Sequence, residues 1–162
     1  LYVDNEPVRE EFGEIGFSDR GIEGAVALRM SRDAVDALIE EKRVKLVLDL
    51  KPALTEEVLY ERIAREIAGL QPNEFFGELL RKLVPKPLVM PLAQEVDIRA
   101  NCYVGKITEE QITRLVRTLK GLTFPITDYA PFEYAVVTAG GVRCDEVNPY
   151  TMESQNVKLT VA

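Results

Sequence analysis

Histidine and tryptophan are missing from this chain, and cysteine occurs only at Cys102 and Cys144. Without an imidazole there is no Ser-His-Asp triad, no Cys-His dyad and no histidine-ligated metal within these residues. Two thiols are too few for a zinc cluster and suit a reducing compartment, so a cytoplasmic location is expected. Whether they pair is left open. No two glycines are separated by a single residue, which excludes a G-x-G-x-x-G dinucleotide fingerprint, and no G-K-[ST] phosphate loop is present. No apolar run approaches the roughly 18 residues that a membrane span needs. Basic residues are outnumbered 20 to 27, and the net charge of −7 repels a polyanion, so no nucleic-acid partner is expected.

What remains is a soluble globule of 162 residues, 46% hydrophobic and 29% charged, long enough to bury a core without disulfides or metals. Leu1-Tyr2-Val3 reads as extended, Asp4-Asn5-Glu6-Pro7 as a turn, and Val8 to Phe17 as a rough alternation. Gly13, Gly16, Gly21 and Gly24 then call for tight turns. From Ala25, Val26, Met30, Ala34 and Leu38 recur at helical spacing. Ser31 leaves one long helix or two short ones open. Val44 to Leu50 is the cleanest strand, and Pro52 ends it.

A helical block follows over about 53–121. Thr55 is the expected N-cap of a helix carrying Leu59, Ile63 and Ile67. Asn73 is expected to cap a second, with Phe75, Phe76, Leu79, Leu80, Leu83 and Val84 inward and a Glu78–Lys82 pair outside. Pro85, Pro87 and Pro91 break the pattern before a short helix from Pro91 to Arg99. Thr108-Glu109-Glu110-Gln111 has the form of a capping box, leading to Ile112, Leu115, Val116, Leu119 and a stop at Gly121. Leu122 to Thr127 and Tyr134 to Thr138 return to strand, the second buried. Strands, helices, then strands again suggest a small β-rich core with a helical subdomain inserted in it.

The carboxylate pairs Glu10/Glu11, Glu40/Glu41 and Glu56/Glu57 diverge in direction and read as solvated surface, and Tyr103 and Tyr129 are the aromatics that could line a pocket. No catalytic residue and no metal ligand is assigned. One segment stands out. Gly140 and Gly141 follow a strand, and two adjacent residues without Cβ let a flat ligand approach the backbone and leave N–H groups to donate. For a glycine pair alone, a plain turn is the commoner explanation.

The run Pro131-Phe132-Glu133-Tyr134-Ala135-Val136-Val137-Thr138-Ala139-Gly140-Gly141-Val142, then Glu146-Val147-Asn148-Pro149 and Thr151-Met152-Glu153-Ser154, resembles the A-x-V-T-x-G-G-V…E-I-N-P-x-T-M-E-S run of the BaiN/RdsA-type NAD(P)/FAD-dependent oxidoreductases. Gly13-Glu14-Ile15-Gly16-Phe17-Ser18-Asp19-Arg20-Gly21-Ile22-Glu23-Gly24 is similar to their G-E-x-x-F-T-x-x-G-[LI]-S-G-P run. Ser18 replaces the usual Thr, Asp19 stands where some members have His, and Glu23-Gly24-Ala25 replaces Ser-Gly-Pro. These changes add negative charge.

The resemblance implies an α+β fold: a small translation-factor-like β-barrel of 1–52 plus 122–147, a helical subdomain of 53–121, and a return segment of 148–162. It implies an insert domain of a flavin-dependent NAD(P)H oxidoreductase, not catalytic alone, whose partner is a split FAD-binding Rossmann-like domain of the same parent chain. FAD would bind in the full-length parent rather than to this stretch, with NAD(P)H as reductant and a small molecule as substrate. Thr138, Ala139, Gly140, Gly141 and Val142 would border the isoalloxazine, and Phe17, Ser18 and Asp19 would face the substrate. The uncapped apolar ending Val157–Ala162 also suggests an excerpt of a longer protein. The competing reading is a free-standing protein-interaction module with a β-barrel core and no cofactor.

Overall fold

The computed structural model describes residues 1–19, 21–136 and 144–154. The chain forms two compact units, Leu1–Thr127 and Asp128–Ala162. The fold is α+β, and no helix among the described residues is long and apolar enough to cross a membrane.

In the first unit β1 (Tyr2–Val3) and β2 (Glu6–Pro7) make a hairpin whose two-residue turn, Asp4-Asn5, has φ of 49° and 73°. Two left-handed residues give the turn whose twist matches the strands, and Asp and Asn tolerate that region best after glycine. Strand β1 also pairs with β5 (Val44–Leu48), and β5 pairs with β6 (Leu122–Ile126), all antiparallel, in the order β2-β1-β5-β6. Leu46 lies opposite Phe124, which fixes the register at the centre of the sheet. The stretch from Val8 to Ile15 is irregular, against the expected alternation; strand pairing resumes only in a separate hairpin of β3 (Gly16–Ser18) and β4 (Gly21–Glu23).

Helix α1 (Ala25–Ile39) is unbroken, because Ser31 Oγ donates back to the Leu28 carbonyl within the helix instead of capping a new one. It buries Val26, Met30, Ala34 and Ala37 against Leu1, Val44 and Leu46. Its end is a left-handed Glu41, φ 58°, with the Lys42 amide donating to the Ala37 carbonyl.

The helical stretch builds a second cluster. Helix α2 (Glu56–Ala68) is capped by Thr55 as expected, whose Oγ1 accepts from the Val58 amide at 3.3 Å. Helix α3 (Phe76–Leu83) is not capped by Asn73. Phe75 occupies the cap, and the Phe76 and Gly77 amides donate to the Cys102 and Ala100 carbonyls, both at 2.8 Å. A neighbouring loop therefore satisfies the donors that a side chain would otherwise take. Phe75 is 45% exposed and stacks on Tyr103, so it leaves the stripe assigned to it. Glu78 pairs with Arg81, and Lys82 reaches Glu66 on α2 at 3.1 Å, in place of a Glu78–Lys82 pair.

A 3₁₀ turn (Lys86–Leu88) leads into α4 (Val89–Glu95), which starts two residues before Pro91 and ends before the expected Arg99. Pro91 is tolerated there because first-turn amides have no intrahelical acceptor. Helix α5 (Glu109–Lys120) carries both bonds of the expected capping box: the Gln111 amide to Thr108 Oγ1 at 3.3 Å, and the Thr108 amide to Gln111 Oε1 at 3.0 Å. Leu59, Ile63, Phe76, Leu79, Leu80 and Leu119 are wholly buried in this cluster, each worth about 1.5–3 kcal/mol of transfer free energy. Leu48 packs on both clusters and joins them.

In the second unit the expected buried strand from Tyr134 is replaced, over the described residues, by a 3₁₀ turn at Phe132–Tyr134, with Val136 72% exposed. A run of aromatic and β-branched residues signals strand only when a partner strand is present. Further on, Val147 and Ser154 form an antiparallel bridge around a turn held by Asn148.

Candidate functional site

Phe17 and Ser18 lie on β3, and Asp19 follows it; all three are exposed. The hairpin brings Phe17 opposite Ile22 and Ser18 opposite Gly21. Its junction with α1 depends on Gly24, φ 103°, where a Cβ would lie 3.4 Å from the Glu14 carbonyl oxygen. One side of the Phe17 ring is fixed by Phe124 of β6, the centroids 5.5 Å apart and the planes tilted by 47°. Its other surface remains open, the side of a half-exposed ring that a flat apolar ligand can use. Glu23 lies opposite Gly16, on the other face of the hairpin from Phe17.

Phe124 was not singled out by the sequence, where Leu122 to Thr127 read only as a strand. Its alternation with Leu122 and Ile126 is the signal that could have found it. Thr138, Ala139, Gly140, Gly141 and Val142, the residues expected to border the isoalloxazine, lie outside the described residues. Of the two tyrosines considered for a pocket, Tyr103 stacks on Phe75 with Lys106 Nζ 5.7 Å above its ring, and Tyr129 is 47% exposed. Neither lines a recess described here.

Among the described residues of the first unit, two open grooves stand out. One of about 410 Å³ runs between α2 and α5 past Glu56, Glu57, Tyr60, Glu61, Thr113 and Val116. Carboxylates dominate it. Glu57 sits there with its carboxyl below the ordinary range, because its own backbone amide and the Thr55 hydroxyl donate to it. The second, of about 460 Å³, has Asn5, Lys42, Arg43, Lys45, Pro125 and Ile126 among its walls. Its cations are engaged: Lys42 with Glu40 at 2.6 Å, Arg43 with Asp4 at 3.6 Å, and Lys45 with Asn5 Oδ1 at 3.0 Å. No buried side-chain polar atom among the described residues lacks a hydrogen-bond partner. Carboxylates line the first groove, whereas in the second Lys42 and Arg43 are paired with carboxylates and Lys45 keeps its charge beside the neutral Asn5 amide.

The family model described as the HI0933-like protein barrel and H2TH domain matches residues 1–137. A curated relative, the 3-dehydro-bile acid delta(4,6)-reductase of Clostridium scindens, is 30% identical over 146 residues, which cover 90% of this chain and 36% of the relative. The chain thus spans little more than a third of that relative's length.

Proposed function

This chain belongs to the HI0933-like barrel and H2TH family, and on that footing we propose that it is the insert domain of a flavin-dependent oxidoreductase, shaping the substrate side of the site without being catalytic alone. The observation that carries the reading is the alignment with a reductase over nine-tenths of this chain but only 36% of the reductase. The two motif runs quoted above supply the flavin: they resemble those of FAD-dependent enzymes, and FAD would contribute the hydride chemistry. In this reading residues 53–121 are a helical subdomain set between 1–52 and 122–147, and 148–162 return toward a split FAD-binding domain. NAD(P)H is the reductant.

The part played by this chain is shape and exclusion. Phe17, braced by Phe124, offers a flat apolar wall to an unsaturated acceptor and keeps water from one of its faces, while Ser18 presents a hydroxyl beside it. The relative reduces a bile-acid derivative by name, and a polycyclic enone is the matching substrate class.

The test uses the full gene product beside the 162-residue chain. The full product is expected to carry flavin absorbance and to oxidise NAD(P)H with an enone acceptor; the chain alone is expected to fold and do neither. A full product without flavin, or tight FAD binding by the 162 residues alone, overturns the proposal.

A further inference from the structure

The groove at the end of the sheet, where β5 begins and β6 ends, carries a charge pattern at odds with the rest of the chain. Carboxylates outnumber cations 27 to 20 overall, yet Lys42, Arg43 and Lys45 line this recess and none of its described walls is a carboxylate. Glu40 and Asp4, which are not wall residues, pair with Lys42 and Arg43. Three cations against two carboxylates leave one positive charge, and it sits on Lys45.

That ammonium is half-buried and held in place. Lys45 lies between Tyr2 and Pro125 across the strands. Its Nζ stands 5.2 Å from the centre of the Tyr2 ring and donates to Asn5 Oδ1 at 3.0 Å. A ring face and an amide oxygen orient a lysine without cancelling its charge. The remaining ammonium hydrogens are left to donate, and Asn5, its oxygen engaged, has amide N–H donors beside them. Leu38, Val44, Pro125 and Ile126 supply apolar walls. A fixed charged donor in an apolar recess of about 460 Å³ has the makeup and size of a small-molecule site.

We propose that this groove binds an amphipathic monocarboxylate, whose carboxylate accepts from Lys45 while its apolar body lies against Leu38, Pro125 and Ile126. One uncompensated cation selects a single negative charge over a pyrophosphate, whose further charges would find Lys42 and Arg43 already paired. The site is separate from Phe17. Successive strand residues face opposite ways, so Lys45 and Pro125 lie on the other side of the sheet from Leu46 and Phe124, the ring that Phe17 packs on. Occupancy of the groove therefore does not depend on the flavin reading.

Isothermal titration of the full gene product with octanoate, octanamide and octylammonium tests this. Octanoate is expected to bind at least about tenfold more tightly than octanamide, the worth of one charge-assisted hydrogen bond, and octylammonium more weakly than either. Lys45→Met is expected to reduce octanoate to the affinity of octanamide. Because that change also removes the contact with Asn5, Thr127→Glu gives a second reading at an exposed wall residue. Its added carboxylate is expected to weaken octanoate about tenfold and leave octanamide unchanged. Phe17→Ala is expected to leave the octanoate affinity as it was. Octanoate binding no tighter than octanamide overturns the proposal, as does wild-type affinity in Lys45→Met or Thr127→Glu. Loss of octanoate binding in Phe17→Ala overturns it too, by placing the ligand on the other side of the sheet.

Discussion

Lys120 Nζ lies 2.5 Å from Asp49 Oδ2 and also donates to the carbonyls of Leu54 at 2.7 Å and Lys51 at 3.1 Å. One ammonium thereby holds the last turn of α5 to the connection between β5 and α2. The Leu50 amide adds a bond to the Leu119 carbonyl at 2.8 Å. Three acceptors from one segment converge on a side chain that is 17% exposed, so this contact orients the helices relative to the sheet. Lys120→Met is expected to lower unfolding free energy by about 1.5–3 kcal/mol, because three acceptors lose a charged donor. Asp49→Asn, which leaves both carbonyl bonds, is expected to cost no more than about 1 kcal/mol. Urea denaturation of the two variants checks the order.

Thr55→Ala removes a cap and is expected to cost about 1 kcal/mol. It should also raise the titration midpoint of Glu57, since the Thr55 hydroxyl is the second of the two donors that lower it, after the residue's own amide. A carboxyl lowered in the folded state contributes stability that is present above its unfolded value of 4.5 and is lost as pH falls through the folded value. The window is therefore acidic, below pH 4.5, and the contribution is small at an exposed site. Carboxyl-carbon NMR through that range measures the midpoint in both proteins.

Gly105 is required by contact. A Cβ there would fall 3.0 Å from both the Cβ and the carbonyl oxygen of Pro72, the same oxygen that accepts from the Gly105 amide. Backbone cannot yield as a side-chain tip can, so Gly105→Ala is expected to destabilise by about 1–3 kcal/mol. Thermal unfolding, compared with an alanine at the exposed and open Gly21, distinguishes this crowding from the loss of glycine itself; the Gly21 variant carries only backbone strain from φ 123°.

Phe17→Ala is expected to leave the fold nearly intact, losing about 0.5–1.5 kcal/mol of ring pairing with Phe124. In the full gene product it should lower kcat/KM for a polycyclic acceptor about tenfold or more, with Phe17→Leu recovering part of the loss. Flavin content should not change. An unaltered kcat/KM would remove Phe17 from the substrate side.

Glu41→Gly is expected to stabilise the protein by up to about 1 kcal/mol, because Glu41 closes α1 at φ 58° and makes no ion pair among the described residues. Chemical denaturation gives the sign directly.

Where the decisive interactions are local, the sequence was sufficient. The Thr108–Gln111 box, the Thr55 cap and the stripes of α2 and α5 each depend on residues a few positions apart; of the expected Asp4–Pro7 turn, Asp4 and Asn5 form the turn while Glu6 and Pro7 pair as β2. The misreadings have a common cause. The Asn73 cap was displaced by carbonyls of Ala100 and Cys102, more than twenty positions away. Lys120 reads as an ordinary terminal lysine because its carbonyl partners stand 69 and 66 positions earlier. The aromatic run from Tyr134 has strand composition but is a 3₁₀ turn at its described start. Of the candidate site, Phe17, Ser18 and Asp19 were proposed through motif resemblance, whereas the alternation in β6 could mark Phe124 but not its partner, Phe17, which only the tertiary fold brings to it.

Leu48 touches both hydrophobic clusters, and its neighbour across β5–β6 is Leu122, itself part of the helical cluster. A seam of this kind makes melting contagious: loosening either cluster frees the shared leucine and strips the other of a wall. Heating should accordingly give one calorimetric peak for the first unit, and truncating Leu48 should split or broaden it more than truncating a leucine that serves one cluster only.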